Sequence, residues 1–419
     1  MKKSVPATSL LQSGLIFSVI SFVTNLGNFA FQSIMARHLT NQTGSYGDAN
    51  STLNSLIPML GMLPAIATLA VTHYIAHFSA CGDTARLQGL LAGCRKFLFR
   101  LTLASSVIAI VAIKPLGYFF KYSDGLMLVT LACTLVGLWV SLVTALCQGL
   151  SWFRRLALIG FLSMVLRVLF GWFVTLKWPS AETAVLASVF MALANLVLLF
   201  WRKELKLTGQ AVPPWNREFA HFFIISAACV IGGFFFTKSD LLVAKQFFSG
   251  LQNDAYNRAE LLTTSLMLTA GPLLTVLFTS RSGTRSGRVV VEQLKLLGLY
   301  VVALLFGAGM LYLLRGIVVR LMLGTASPET EGMIGQLGLT MVFVGLLQSL
   351  SLWALASRWT KVSLLYGLLG VTYWLMLQFI GKTPAALLCI MPMAAGAAFV
   401  ILLVVWLKTM RRHQAVAHS

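Results

Sequence analysis

Long apolar stretches separated by short polar links recur along the whole chain. A helix needs about 20 apolar residues to cross a bilayer, so each stretch predicts one span. In order they cover Ser9–Ala36, Ala49–Phe78, a segment after Arg95-Lys96 ending at Phe120, Gly125–Gln148, a segment ending at Leu176, and Glu182–Trp201. A hydrophilic link, Arg202 to Glu218, follows and contains Pro213-Pro214, which stops a helix and favours extended chain. The stretches then resume at Phe219–Phe248, Ala255–Ser280, Glu292–Val319, Glu331–Ser357, Val362–Ile380 and Pro384–Lys408. The pattern predicts an all-α polytopic membrane protein of about 12 transmembrane helices. The link divides them into a first lobe over 1–210 and a second over 211–419.

Faint internal echoes support two halves. A shift of 210 sets Tyr46 on Tyr256 and Gly61 on Gly271, and a shift of 206 sets Ser151, Phe153 and Arg155 on Ser357, Trp359 and Lys361. Six crossings return the chain to its starting side, so the halves are expected to be parallel repeats around a shared cleft, a known transporter plan.

Composition agrees with the pattern. The 419 residues are 58% hydrophobic and 11% charged, against about 25% charged in a soluble domain. The formal charge of +20 reflects topology and not nucleic-acid binding, because lysine and arginine gather in alternate links. Arg86, Arg95, Lys96, Arg100, Arg154, Arg155, Arg202, Lys203 and Arg411 belong to the rich set, and Arg37, Lys121, Lys177, Lys245 and Arg258 to the poor one. The positive-inside rule places the rich set and both termini in the cytoplasm. The first apolar run is too long for the core of a cleavable signal peptide. The six cysteines form no CxxC pair. His73 and His77 stand four apart without a third ligand, so no metal and no cofactor are expected. No P-loop, HExxH or GxSxG pattern occurs, and the chain is not expected to be an enzyme.

The chemistry sits in the polar residues within the spans. Ser21, Asn25, Asn28 and Gln32 share one helical face of the first span, and Ser51, Asn54, Ser55, Pro58 and Gly61 form a stripe on the second. Glu260, Thr264, Met267 and Gly271 do the same on the eighth. These faces predict a wet chamber, with interhelical hydrogen bonding as the plainer alternative. Asp240 is one of only 12 acids and lies in an apolar run. A charge at that depth costs about 2.5–3.5 kcal/mol on insertion scales and normally faces a partner or water. Lys238 is two residues away, about 200° around the helix, so it points elsewhere. Asp240 is therefore expected to pair with a cation on another helix: Arg258, Arg37 or the mid-span Arg167. A cation-rich chamber of this kind suits an anionic substrate, and arginine suits phosphate.

Three stretches carry a resemblance. Ala36-Arg37-His38-Leu39-Thr40 with Gly44-Ser45-Tyr46-Gly47 resembles the link between the first two spans of polysaccharide flippases in the multidrug/oligosaccharidyl-lipid/polysaccharide (MOP) superfamily. Ala145-Leu146-Cys147-Gln148-Gly149 running into Phe153-Arg154-Arg155-Leu156-Ala157 is similar to their basic turn, and Ser239-Asp240-Leu241-Leu242-Val243 with Ala255-Tyr256 resembles the start of their second half. The chain departs from the pattern at Ser45, where an acid is usual, and at Asn253-Asp254, where glycine is common. The resemblance to O-antigen (Wzx-type) flippases implies two six-helix lobes around a central cleft. It also implies alternating access that moves a polyprenyl-diphosphate-linked oligosaccharide outward for surface polysaccharide or lipopolysaccharide synthesis. Expected partners are that substrate, membrane lipids, and a polysaccharide polymerase with other assembly proteins. The expected substrate-binding residues are Asn25, Asn28, Gln32, Arg37, Asn54, Arg167, Lys238, Asp240, Arg258 and Glu260. A proton- or sodium-coupled antiporter of the same superfamily is the alternative, with Asp240 as its ion site. A membrane polymerase or ligase is a third reading, disfavoured by the short outer links.

Overall fold

A computed structural model describes residues 7–39, 45–150, 152–200, 217–283, 287–324, 327–357 and 359–418. All regular structure among them is helical. The helices are α1 (Ala7–His38), α2 (Ser45–Ser51), α3 (Ile57–Leu60), α4 (Met62–Cys81), α5 (Thr84–Phe120), α6 (Asp124–Gly149), α7 (Phe153–Lys177) and α8 (Ala181–Phe200). They continue as α9 (Arg217–Phe247), α10 (Gly250–Gly283), α11 (Gly287–Leu313), α12 (Arg315–Leu323), α13 (Pro328–Ala356), α14 (Thr360–Ile380) and α15 (Pro384–His418). Seven are long and apolar enough to cross a membrane among the described residues, or ten when three bent pairs each count as one span. With α1 and α10, of 32 and 34 residues, the expected twelve is reached.

Local chemistry explains several boundaries. Asp83 caps α5 by accepting from the Arg86 N–H at 3.0 Å, and Lys121 ends that helix in the left-handed region at φ 56°. Because α5 starts at Thr84, the basic residues Arg86, Arg95, Lys96 and Arg100 ride on the helix itself. Ser123 caps α6 through the Leu126 N–H and also donates to Glu182 on α8 at 2.6 Å, tying two helix starts together. The expected span over Glu292–Val319 is broken: α11 and α12 meet at Leu314 with a bend of 79°, and Gly324 stops α12 at φ 77°. The second span is also broken. Between α2 and α3 lies one π-helical stretch, Thr52–Leu56, and Gly61 separates α3 from α4.

The chain divides into two compact units. The first holds Met1–Leu39 and Leu63–Phe223, and the second holds Thr40–Met62 and Ile224–Ser419. Thr40–Met62 thus packs with the second unit although it lies in the first half of the sequence. The boundary expected at 210/211 and the Pro213-Pro214 link lie outside the described residues, as do the side chains of Ser21, His73 and His77.

Membrane helices share apolar surroundings with lipid, so their association relies on close packing at small residues. In the second unit α9 and α14 meet backbone to backbone: a Cβ added at Gly370 would stand 2.7 Å from the Gly232 Cα, and one at Gly367 would stand 2.9 Å from the Ala228 carbonyl oxygen. Phe236 then lies between Tyr366 and Tyr373, with ring centroids 5.5 and 5.1 Å away. This packing fixes the rotation of α9 one turn before Lys238 and Asp240. In the first unit, Gly27 faces the Met164 side chain and Gly171 faces the Phe31 ring, which brings α1 and α7 together around Arg167.

Gly367→Val is expected to destabilise the protein by about 1–3 kcal/mol through overpacking. Gly309→Ala, with nothing within 4 Å of the added carbon, should be neutral or slightly stabilising. Thermal unfolding in detergent, followed by labelling of the buried Cys229, compares the two.

Candidate functional site

In the first unit the polar residues gather where α1 meets α7. The Arg167 guanidinium donates to the Asn28 side-chain oxygen at 3.0 Å and stacks over the Phe31 ring at 4.2 Å. Its Nε is buried without a partner. No acid pairs with it among the described residues. Gln32 is buried one turn beyond Asn28, and its side-chain oxygen also lacks a partner. Asn25 is half-buried on the same helix, and Arg37 is exposed near its end. Ser163, one turn before Arg167, donates to Asn195 at 2.6 Å. The cation is thus held by an amide, a π-face and no counter-charge. An arginine carries five donors, so this arrangement leaves capacity to bind an anion.

The second unit balances its charges differently. Lys238 on α9 pairs with Glu260 on α10 at 3.2 Å, and Thr264 donates to the same carboxylate oxygen at 2.6 Å. Glu260 is 1% exposed and the Lys238 side chain 20%. Ser55 reaches the Lys238 carbonyl oxygen at 2.5 Å, linking the π-helical stretch to α9. Asp240 is 2% exposed and accepts from the Tyr256 hydroxyl at 2.6 Å, while its other oxygen has no partner. The Tyr256 oxygen also touches the Met391 sulfur on α15 at 3.3 Å.

This corrects the expected cationic partner of Asp240. Among the described residues no lysine or arginine lies within ion-pair distance of it. Arg167 is engaged in the first unit, and Arg258 lies over the Tyr46 ring at 5.9 Å. The physical reason is reach. Asp240 and Tyr256 stand on adjacent helices joined by a short turn, and the phenol supplies a strong hydrogen bond to a carboxylate without burying a second charge. Lys238 and Asp240 form no ion pair with each other, but their partners Glu260 and Tyr256 stand one turn apart on the same face of α10.

A second polar cluster, of which the sequence reading singled out only Asn54 as a site residue, joins α2 to α9 and α10. The Gly47 N–H donates to the Asp254 carboxylate at 2.6 Å, and Asn50 donates to the Asn257 oxygen at 2.9 Å. Asn54 donates in turn to Asn50 at 2.6 Å, and Lys245 pairs with Asp48 at 2.5 Å. Both α2–α10 bonds span 207 residues, as expected of two helix starts lying side by side and parallel. Close approach needs a residue without a side chain at 47, since a Cβ there would collide with Asn253. The available signal was the weak repeat near 210, which brought up Tyr46 and Tyr256 but not their polar neighbours.

Of the expected residues, the structure brings Arg167 to Asn28 and Lys238 to Glu260, and it sets Asn54 and Arg258 at the α2–α10 contact. Among the described residues no group of three His, Cys, Asp or Glu side chains could hold a metal ion.

Searches with the sequence find no matching family model and no matching curated protein. The fold is nevertheless shared with solved transporters of the MOP superfamily. One is a multidrug resistance MATE family transporter in an inward-facing conformation, with a TM-score of 0.68 and 14% identity over 97% of this chain and 99% of that one. A MOP superfamily transporter from Pyrococcus furiosus, whose description reports reversed polarity of the binding pocket and suggests a different function, gives a TM-score of 0.66 and 13% identity over 98% and 99%. A point mutant of the Vibrio cholerae MATE transporter VcmN gives a TM-score of 0.62 and 15% identity over 97% and 98%. At these identities the likeness concerns the fold: an all-helical, two-lobed multi-pass membrane architecture.

Removing one member of a buried ion pair leaves the other charge unmatched, at a cost of about 3–5 kcal/mol. Lys238→Met is expected to lower stability by that order, and Lys238→Met with Glu260→Leu to recover much of the loss. Denaturant titration of the three proteins in mixed micelles measures the coupling. Additive effects of the two substitutions would show that the pair contributes nothing.

Proposed function

We propose that this protein is an alternating-access transporter of the inner membrane that carries a polyprenyl-diphosphate-linked oligosaccharide outward for surface polysaccharide synthesis. The observation that supports it is Arg167, a half-buried cation with an unpartnered Nε and no acid beside it among the described residues. An unmatched cation in a low-dielectric setting repels cationic cargo and favours an anion such as a diphosphate. Asn25, Asn28 and Gln32 on the neighbouring helix offer amides suited to sugar hydroxyls. The polyprenyl chain can stay in lipid while the head group crosses. In this reading Arg37 adds to the polar face of the first unit, Asn54, Lys238 and Arg258 supply polar groups in the second, where the acids Asp240 and Glu260 tune the charge, and both termini face the cytoplasm. A downstream polysaccharide polymerase is the natural partner.

A second reading rests on Asp240. Its unpartnered oxygen lies in the same unit as the buried Glu260. A buried carboxylate without a counter-cation has reason to take up a proton, which suits a proton-coupled antiporter of drugs or metabolites.

The test is complementation in a bacterial strain that lacks its own lipid-linked-oligosaccharide flippase. The wild-type chain should restore surface glycan, and Arg167→Ala and Asp240→Asn should each abolish it while the protein stays in the membrane. Arg167→Lys should restore part of the export, because it keeps the charge and loses the fork. Full export by both Arg167→Ala and Asp240→Asn overturns the assignment. Resistance to cationic drugs that survives Arg167→Ala and is lost in Asp240→Asn favours the antiporter.

A further inference from the structure

The short helix α12 has no part in the polar clusters of the second unit. It follows α11, and the length of α11 decides where it lies. Between Lys295 and Arg315 the chain carries 19 residues without a charge. At 1.5 Å per residue they make about 28 Å of helix, which matches a hydrocarbon core of about 30 Å. α11 therefore crosses the bilayer unaided. It packs on α13 at Gly345, where the Tyr300 hydroxyl donates to the carbonyl oxygen at 3.3 Å and the Leu304 side chain fills the space beside the glycine. Arg315 marks the end of the apolar run, and there the chain turns by 79°. A helix at that angle to a span runs along the membrane surface.

The side chains of α12 sort by face. Val319 is buried, and Gly316 lies against the start of α13, since a Cβ added there would stand 3.4 Å from the Glu331 carboxylate. Each residue turns the helix by about 100°, so Ile317 and Leu321 lie about 160° from Val319, on the far side. They are 59% and 65% exposed. Arg320 is exposed too and stands about 60° from Ile317, at the edge of the apolar stripe. Arg315 stacks over the Tyr312 ring at 4.5 Å and holds a second cation at the bend. Both arginines fall in the sparse set of cations, which the positive-inside rule assigns to the outer side. An apolar stripe with a cationic edge suits the boundary between acyl chains and phosphates, where an arginine stem lies along apolar surface and its charge reaches the head groups.

We propose that α12 is an interfacial anchor, with Ile317 and Leu321 immersed in the outer leaflet and Arg320 against the phospholipid phosphates. What covers this face is lipid. No residue assigned to transport belongs to α12, so the anchor stands whichever substrate the transporter carries.

Nitroxide depth measurements on the full-length protein, in vesicles of phosphatidylethanolamine and phosphatidylglycerol, test it. Ile317→Cys, Arg320→Cys and Leu321→Cys each carry the label, in a chain whose exposed Cys81 and Cys389 are replaced by serine. Labels at 317 and 321 should collide more with oxygen than with a water-soluble nickel chelate, at a depth of about 5–10 Å below the phosphates. The order should reverse at 320. Collision with the chelate as frequent at 317 and 321 as at 320 would put the face in water and overturn the proposal. Labels at the bilayer centre would make α12 a continuation of the span, and labels shielded from both reagents and broadened by one another would replace lipid with a second copy; either result overturns it. Hydrogen exchange decides without labels or cysteine changes. Ile317→Gln with Leu321→Gln alters only exposed positions and keeps helix propensity, and it should speed amide exchange across α12 roughly tenfold in the same vesicles. Unchanged exchange overturns the anchor.

Discussion

An ionised side chain inside a lipid-spanning helix must find its complement within the reach of its own stem. With no bulk water to screen it, an unmatched charge is too costly to leave alone. The structure meets this constraint in three ways. Lys238 and Glu260 neutralise each other across adjacent helices. Asp240 takes a phenol instead of a cation. Arg167 takes an amide and an aromatic face. Each solution depends on a helix rotation that is set elsewhere, by the glycine contacts of α9 with α14 and of α1 with α7. The small residues are therefore part of the electrostatics. Moving α9 away from α14 would turn Asp240 and Lys238 off their partners together.

The spans were legible because their signal is the length of an apolar run, which needs no knowledge of packing. Expected Gly125–Gln148 became Asp124–Gly149, and expected Val362–Ile380 became Thr360–Ile380. The polar faces were legible too: Asn28 lies on the side of α1 that meets Arg167. The pairing of Asp240 was not legible. Spacing along one helix gives relative directions on that helix only, and charge alone favoured an arginine. It gave no weight to a tyrosine whose hydroxyl projects from the next helix. The break at Leu314 was hidden as well, because neither side of it contains proline and the apolar run resumes after Arg315-Gly316.

The contact between α2 and α10 shows how much a small departure in sequence can carry. Asn253 and Asp254 are both engaged: Asp254 accepts from the Gly47 backbone, and Asn253 accepts from Asn257. Gly47 on α2 leaves the room that the side chains of α10 need, and Asp48 beside it meets Lys245.

The two units differ in the sign of the charge they leave unmatched. The first buries part of an arginine with nothing anionic beside it among the described residues. The second matches Lys238 and Lys245 and leaves one oxygen of Asp240 without a partner. Because the folding cost of such groups is offset only by their surroundings, each is a place where binding energy remains available. An anion entering the first unit would complete the donors of Arg167. A proton entering the second would remove the charge of Asp240 and leave the Tyr256 contact in place. Among the described residues the unmatched charge is positive in the first unit and negative in the second.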